Sequence, residues 1–176
     1  LGANLEVDGK TVAHYIDILA DLLLVRRLEP WHANVKKRLV KSPHFYVRDS
    51  GILHRLLGIG DYDALLSNPV LGKSWEGFVI ENILSVVANR AEAYFYRTAA
   101  GAEIDLLLKF SAKELWAIEV KNSVAPKIRP GFHLACADIK ASHKYIVYGG
   151  DGEFPIDQEI TVLSLKNMLL KLGESG

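Results

Sequence analysis

In the stretch GAEIDLLLKFSAKELWAIEVKNS, Gly101 to Ser123, Asp105, Glu119 and Lys121 stand at spacings that two adjacent strands would bring together. Two carboxylates are hard oxygen ligands suited to Mg²⁺, which they hold at about 2.0–2.1 Å. A neighbouring lysine can orient or activate an attacking water and offset developing charge. The chemistry this suits is phosphodiester hydrolysis. The competing explanation is a half-exposed hairpin with a solvated charged face, which antiparallel sheets commonly show. Against it, two carboxylates held close repel unless a cation or a proton intervenes.

Strand periodicity must position these groups. With side chains alternating between faces, Ile104, Leu106 and Leu108 are expected on one side, and Glu103, Asp105, Leu107 and Lys109 on the other. In WAIEVK, Ile118 and Val120 point one way and Glu119 and Lys121 the other. A turn at Ser111 to Lys113 pairs the runs antiparallel. A third carboxylate comes from a helix expected over Ser74 to about Asn89. Its Trp75, Val79, Ile80, Ile83, Val86 and Val87 form one broad apolar arc with Glu76 inside it. An acidic group on a core-facing stripe is costly unless paired or metal-bound. Glu81 falls outside the arc, toward solvent or a neighbouring element. Three carboxylates around an ion-sized gap would be the geometry of catalysis; Lys121 filling that gap as an ion pair would be the geometry of a structural role.

The other elements follow from similar signals. An amphipathic helix is expected over about Lys10 to Leu22, then strands around a polar turn at His32 to Val35, then a short helix capped by Asp49 or Ser50 and ended by Gly58. EAYFYRT reads as a strand, the segment after Pro130 as a helix, HKYIVYGG as a strand, and EITVLSLKNMLLKL as a strand and a helix. The order helix, three strands, helix, strand thus spans about Ser74 to Gly150. The fold class is mixed α/β of the α+β kind. The chain divides into residues 1–60, a helix plus basic hairpin resembling part of a winged helix; a linker, 61–73; and a domain over 74–176.

Composition sets limits. With 49% hydrophobic and 24% charged residues in a chain of 176, a real core is expected rather than disorder. The single cysteine, Cys136, excludes an internal disulfide and any multi-cysteine zinc site and favours a reducing, intracellular setting. The longest apolar run, ILADLLLV, is broken by Asp21 and is too short for a membrane span. Net charge is zero, so a globally basic nucleic-acid footprint is absent. Residues 1–60 nevertheless carry nine Lys or Arg against six Asp or Glu. That excess centres on VKKRLVK. Lys36, Lys37, Arg38 and Lys41, with Lys127 farther on, are the candidates for phosphate contact, though such contacts do not read sequence. The chain begins with Leu1 and its one methionine is Met168, which suggests a fragment.

Other constellations carry little chemistry. GKS at Gly72 to Ser74 lacks the earlier glycine of a phosphate-binding loop, because Ser67 stands there and Pro69 occupies the cradle. The six histidines have no paired metal-ligand spacing. Cys136 sits among apolar neighbours in an expected helix, which disfavours a nucleophile.

Glu76 in GKSWEGF, Asp105 in EID, and Glu119 and Lys121 in EVK, in an αβββαβ order, resemble the motifs of the PD-(D/E)XK nuclease superfamily, with Ile104 in place of the proline. Over nearly the whole chain, KTVAHYIDILADLLLVRRLEPW, KRLVKSPHFYVRDSGIL, GKSWEGFVIENIL and EIDLLL…AIEVKNS are similar to the uncharacterised C-terminal domain that follows an AAA-type ATPase module in many archaeal and bacterial proteins. The resemblance implies a restriction-endonuclease-like αβββαβ core. It also implies Mg²⁺ or Mn²⁺ held by Asp105 and Glu119, helped by the Val120 carbonyl and Glu76, with Lys121 positioning the water. It implies a cytoplasmic setting, with nucleic acid as partner and no membrane. ATP would be used only by an ATPase module in the same polypeptide, and a homo-oligomer is left open. The alternative is a catalytically inert nuclease-fold module that binds nucleic acid or a protein partner for the ATPase.

Overall fold

The computed structural model describes residues 8–32 and 37–174. Eight strands form one mixed sheet in the order β2-β1-β3-β4-β5-β6-β8-β7. They are β1 (Val25–Pro30), β2 (His44–Val47), β3 (Glu92–Arg97), β4 (Glu103–Lys109), β5 (Leu115–Val120), β6 (His143–Tyr148), β7 (Glu153–Pro155) and β8 (Ile160–Ser164). The helices are α1 (Gly9–Asp21), α2 (Ser50–Leu56), α3 (Tyr62–Leu66), α4 (Leu71–Val87), α5 (Pro130–Ile139) and α6 (Leu165–Glu174). The αβββαβ order is therefore present as α4, β3, β4, β5, α5 and β6, in a mixed α/β fold.

Helices cover both faces of the sheet. On one face α4 and α6 bury Val79, Ile80, Ile83, Met168 and Leu172 against Leu106, Leu108, Ile118 and Val147. On the other, α5 buries Phe132, Ala135, Cys136 and Ile139 against Ile104, Leu107, Ala117 and Ile146. Apolar side chains must therefore leave both faces of the central strands. β5 is accordingly buried at five of its six residues, Leu115 being the partly exposed one. That is the pattern of a strand covered on two sides.

The expected alternation in β4 fails at one place. Leu106 and Leu108 do share the α4 side, but Ile104 lies with Leu107 on the α5 side. Tyr94 pairs with Leu107 while Tyr96 pairs with Ile104, so two steps along β3 match three along β4. This is a β-bulge around Asp105 and Leu106, and one extra residue inverts the faces beyond it. Periodicity alone gives no sign of an inserted residue.

The N-terminal elements complete one edge. α1 is capped by the Asp8 side chain, which accepts from the Thr11 N–H at 2.8 Å. β1 and β2 pair antiparallel, and β1 continues the large sheet by parallel pairing with β3. The second strand starts at His44, later than a turn at His32 to Val35 implies; Ala33 to Val35 of that turn lie outside the described residues. Residues 61–73, expected as a linker with a brief helical piece, carry that piece as α3, and α4 starts at Leu71 rather than Ser74. The short helix after Asp49 forms as expected, with the Asp49 side chain accepting from the Ile52 N–H and Gly58 at φ 71° just past its end.

α5 reaches the sheet because it begins with Pro130 and Gly131. A Cβ on Gly131 would stand 2.3 Å from the Gly101 carbonyl oxygen, in the turn between β3 and β4. Backbone on both sides leaves little room to give way. Gly131→Ala is expected to destabilise the fold by about 1–3 kcal/mol, read as a lower urea midpoint with an unchanged slope.

Candidate functional site

The β4–β5 pairing runs from Lys109 opposite Leu115 to Leu106 opposite Ile118, and stops there. Had it continued, Val120 would face Ile104. The bulge removes that partner, and the Asp105 side chain replaces it, with Oδ2 accepting from the Val120 N–H at 2.8 Å. β5 meanwhile continues beside β6, and the Lys121 N–H donates to the Val147 carbonyl at 2.8 Å. From α4, the Trp75 indole N–H donates to the Lys121 carbonyl at 3.0 Å. The end of β5 is thus fixed from three sides.

Around it opens a cleft of about 450 Å³. Glu76, Glu103, Asp105 and Glu119 line it with Lys73, Arg97, Lys121 and Arg129, so its walls hold equal numbers of acidic and basic groups. The structure therefore brings together all four residues singled out in the sequence. Glu119 is 5% exposed, and its carboxylate forms an ion pair with the Lys121 ammonium. Only Oε1 is used in that pair; Oε2 is buried with no hydrogen-bond partner. Glu76 Oε1 accepts from the Tyr46 hydroxyl at 2.6 Å, and both carboxylate oxygens accept from Lys73 Nζ, at 2.8 and 2.7 Å.

Asp105 bears the electrostatic consequence. Its carboxyl lies deep in the cleft although the residue keeps some accessible surface. Burial pushes its pKa up to about 7, followed by the negative charge of Glu76; the Val120 N–H works the other way, and Glu119 and Glu103 add to the rise. Among the described residues, no three His, Cys, Asp or Glu side chains are gathered closely enough to hold a metal ion. The expected set of Glu76, Asp105 and Glu119 is not drawn into a closed cage, because Glu76 is held by Tyr46 and Lys73 and Glu119 by Lys121.

The region from α4 onward has relatives. Residues 71–168 match the family described as a domain of unknown function, DUF4143. The chain belongs to that family. All eight charged groups of the cleft fall within the DUF4143 match. Residues 1–63 match a second domain of unknown function, DUF8612. The chain is 40% identical over 169 residues to uncharacterised proteins of Mycobacterium bovis and Mycobacterium tuberculosis. That stretch is 96% of this chain and 38% of each relative, so the chain spans well under half of their length. No solved structure matches it.

The basic candidates are distributed differently. Lys36 lies outside the described residues. Lys37 is bound to Asp138 of α5 at 2.6 and 2.8 Å, while Arg38 and Lys41 are exposed in the same connection between β1 and β2. Lys127 is exposed and does not line the cleft; its neighbour Arg129 does. Sequence reasoning missed Lys73, Arg97 and Glu103 as cleft residues, and Tyr46 as the partner of Glu76 behind the cleft wall. Glu103 had a signal, standing two positions before Asp105 on a short strand. Tyr46 had none, since β2 lies far from α4 in the chain; Arg97 stands at the end of the strand just before β4, opposite Glu103. Glu81, left between solvent and a neighbouring element, takes the second course: it accepts from Arg26 at 2.5 Å and from Arg48 at 2.8 Å. Cys136 is buried, and burial pushes its thiol up to about 12, which leaves it inert at neutral pH.

The Asp105 shift has a signed effect on stability. Its folded pKa lies above the unfolded value, so between about pH 4 and pH 7 the native state holds a proton that the unfolded chain has released. Stability therefore falls as pH rises through that window and is level above it. Asp105→Asn keeps an acceptor for Val120 and removes the charge. It is expected to gain about 2–4 kcal/mol over the wild type at pH 8 and almost nothing at pH 4, measured by urea unfolding at both pH values.

Proposed function

We propose that the cleft hydrolyses phosphodiester bonds of nucleic acid, with Mg²⁺ or Mn²⁺ held by Asp105 and Glu119, as a PD-(D/E)XK-type nuclease domain working beside an AAA-type ATPase module. The observation that carries this reading is the buried Glu119 Oε2 without a partner, next to an Asp105 carboxyl pushed up to about 7 by burial and neighbouring negative charge. A divalent cation relieves both costs at once: it gives the orphan oxygen a partner and lets Asp105 ionise. These are hard oxygen donors of the kind Mg²⁺ takes. The cation would supply Lewis-acid stabilisation of the phosphate and a water of lowered pKa.

The chain's own groups have definite tasks in this reading. The Lys121 ammonium, half-buried against Glu119, orients the attacking water and offsets charge developing on the phosphate. Arg129, exposed at the cleft rim, is free to bind a flanking phosphate, and Arg97 joins it when it leaves Glu103, to which it is held at 3.5 Å. The Val120 N–H holds Asp105 in place throughout. Association with an ATPase module is supported by the resemblance of the chain's motifs and by relatives of which this chain is 38%.

The Lys121–Glu119 ion pair favours a second reading, in which the lysine already neutralises the site and the cleft is an inert module that binds nucleic acid or a protein partner for the ATPase. Titration calorimetry with Mg²⁺ and Mn²⁺, run with a labelled mixture of DNA and RNA, separates the two. The nuclease reading expects cation binding and cation-dependent cleavage, both lost in Asp105→Asn. It also expects affinity to rise as pH is raised through about 7, with proton release on binding, because the cation competes with the Asp105 proton. Absence of binding and cleavage at pH 8 sinks it and leaves the inert module.

A further inference from the structure

Tyr46 lies on β2, in the part of the chain matched by a different family from the cleft itself. It is 7% exposed, and its hydroxyl donates to Glu76 Oε1 at 2.6 Å. Its ring occupies a notch on α4 at Gly77, where a Cβ would stand 3.1 Å from Tyr46 Cδ1. The other partner of Glu76, Lys73, has a side chain 64% exposed, and an ion pair of that kind positions weakly. Five residues further along α4, Glu81 is gripped by Arg26 of β1 and by Arg48 just after β2. The same N-terminal hairpin therefore holds α4 at two points, and the nearer one is a carboxylate of the cleft.

We infer that Tyr46 is a positioning residue that sets the Glu76 carboxylate at the cleft wall, making the N-terminal hairpin a working part of the site. The hydroxyl fixes Oε1 of Glu76, which Lys73 shares, and leaves Oε2 to Lys73 alone or to a group entering the cleft. Without it, Glu76 is left with the exposed Lys73 side chain and follows it toward solvent. The kinetic consequence of this inference rests on the nuclease reading; the geometric one does not.

Tyr46→Phe keeps the ring in the Gly77 notch and removes only the hydroxyl. Two measurements test the inference on the same preparations. In the first, carbon-13 NMR of the carboxyl groups at pH 7 is expected to show the Glu76 resonance displaced in Tyr46→Phe while backbone amide shifts of β5 stay in place. In the second, Mn²⁺-dependent cleavage of labelled nucleic acid is expected to show kcat about tenfold lower with KM unchanged, and no further loss when Tyr46→Phe is added to Glu76→Gln. A Glu76 resonance that does not move overturns the inference, as do additive losses or a change confined to KM. If the wild type does not cleave, the nuclease reading fails by itself, and the resonance of Glu76 alone decides the positioning role.

Discussion

Two backbone hydrogen-bonding ladders compete for the end of β5, and the cleft exists because one of them gives out. β5 stays paired with β6 as far as Val120, while its pairing with β4 ends at Ile118. A buried N–H without an acceptor is costly, so something must replace the lost partner of Val120. The bulge in β4 turns Asp105 to that task. A carboxylate thereby enters a place where burial and other acids oppose its charge, and the hydrogen bond that keeps it there is the one favourable influence among the main causes of its shift. Structural need and chemical potential meet in one side chain.

The second consequence is the role of α4. Its apolar face packs on the sheet, yet its polar contacts are what connect the parts of the site. Trp75 fixes the Lys121 carbonyl, Glu76 meets Tyr46, and Glu81 joins Arg26 and Arg48. Burial opposes the charge of Glu81, yet its hydrogen bonds and ion pairs with the two guanidinium groups outweigh it and lower its pKa from the usual value. The Glu81 carboxylate is thus paired on both oxygens where helix meets hairpin. One helix thus carries the strain of aligning a β-hairpin from the first third of the chain with strand ends from the middle.

Charge balance bears on what the cleft accommodates. Four acids face four bases there, and the basic segment near Lys37 is tied to Asp138 on α5 rather than projecting into the cleft. A long polyanion laid across the molecule would find no continuous basic track among the described residues of the cleft. Under the proposed function, a local contact with one or two phosphates through Arg129 and Lys121 suits this distribution better.

The αβββαβ order, the pairing of β4 with β5 and the company of Glu76, Asp105, Glu119 and Lys121 are legible in the chain alone. Those features are written in local periodicity, in caps such as Asp8 and Asp49, and in charged residues that interrupt apolar patterns. Tertiary structure alone decided the rest. The bulge that moves Ile104 to the opposite face depends on registration with β3, which no window of β4 contains. Tyr46 reaches Glu76 only because β1 adds to β3 in parallel and carries β2 with it, and Arg97 meets Glu103 only through the register of β3 with β4. The state of Lys121 also lay beyond the sequence: spacing put it beside Glu119, but whether it filled the gap, or left one carboxylate oxygen bare, depended on how deeply the pair was buried. Alternation is a property of consecutive residues, whereas register, burial and ion pairing are set by the neighbours that folding supplies.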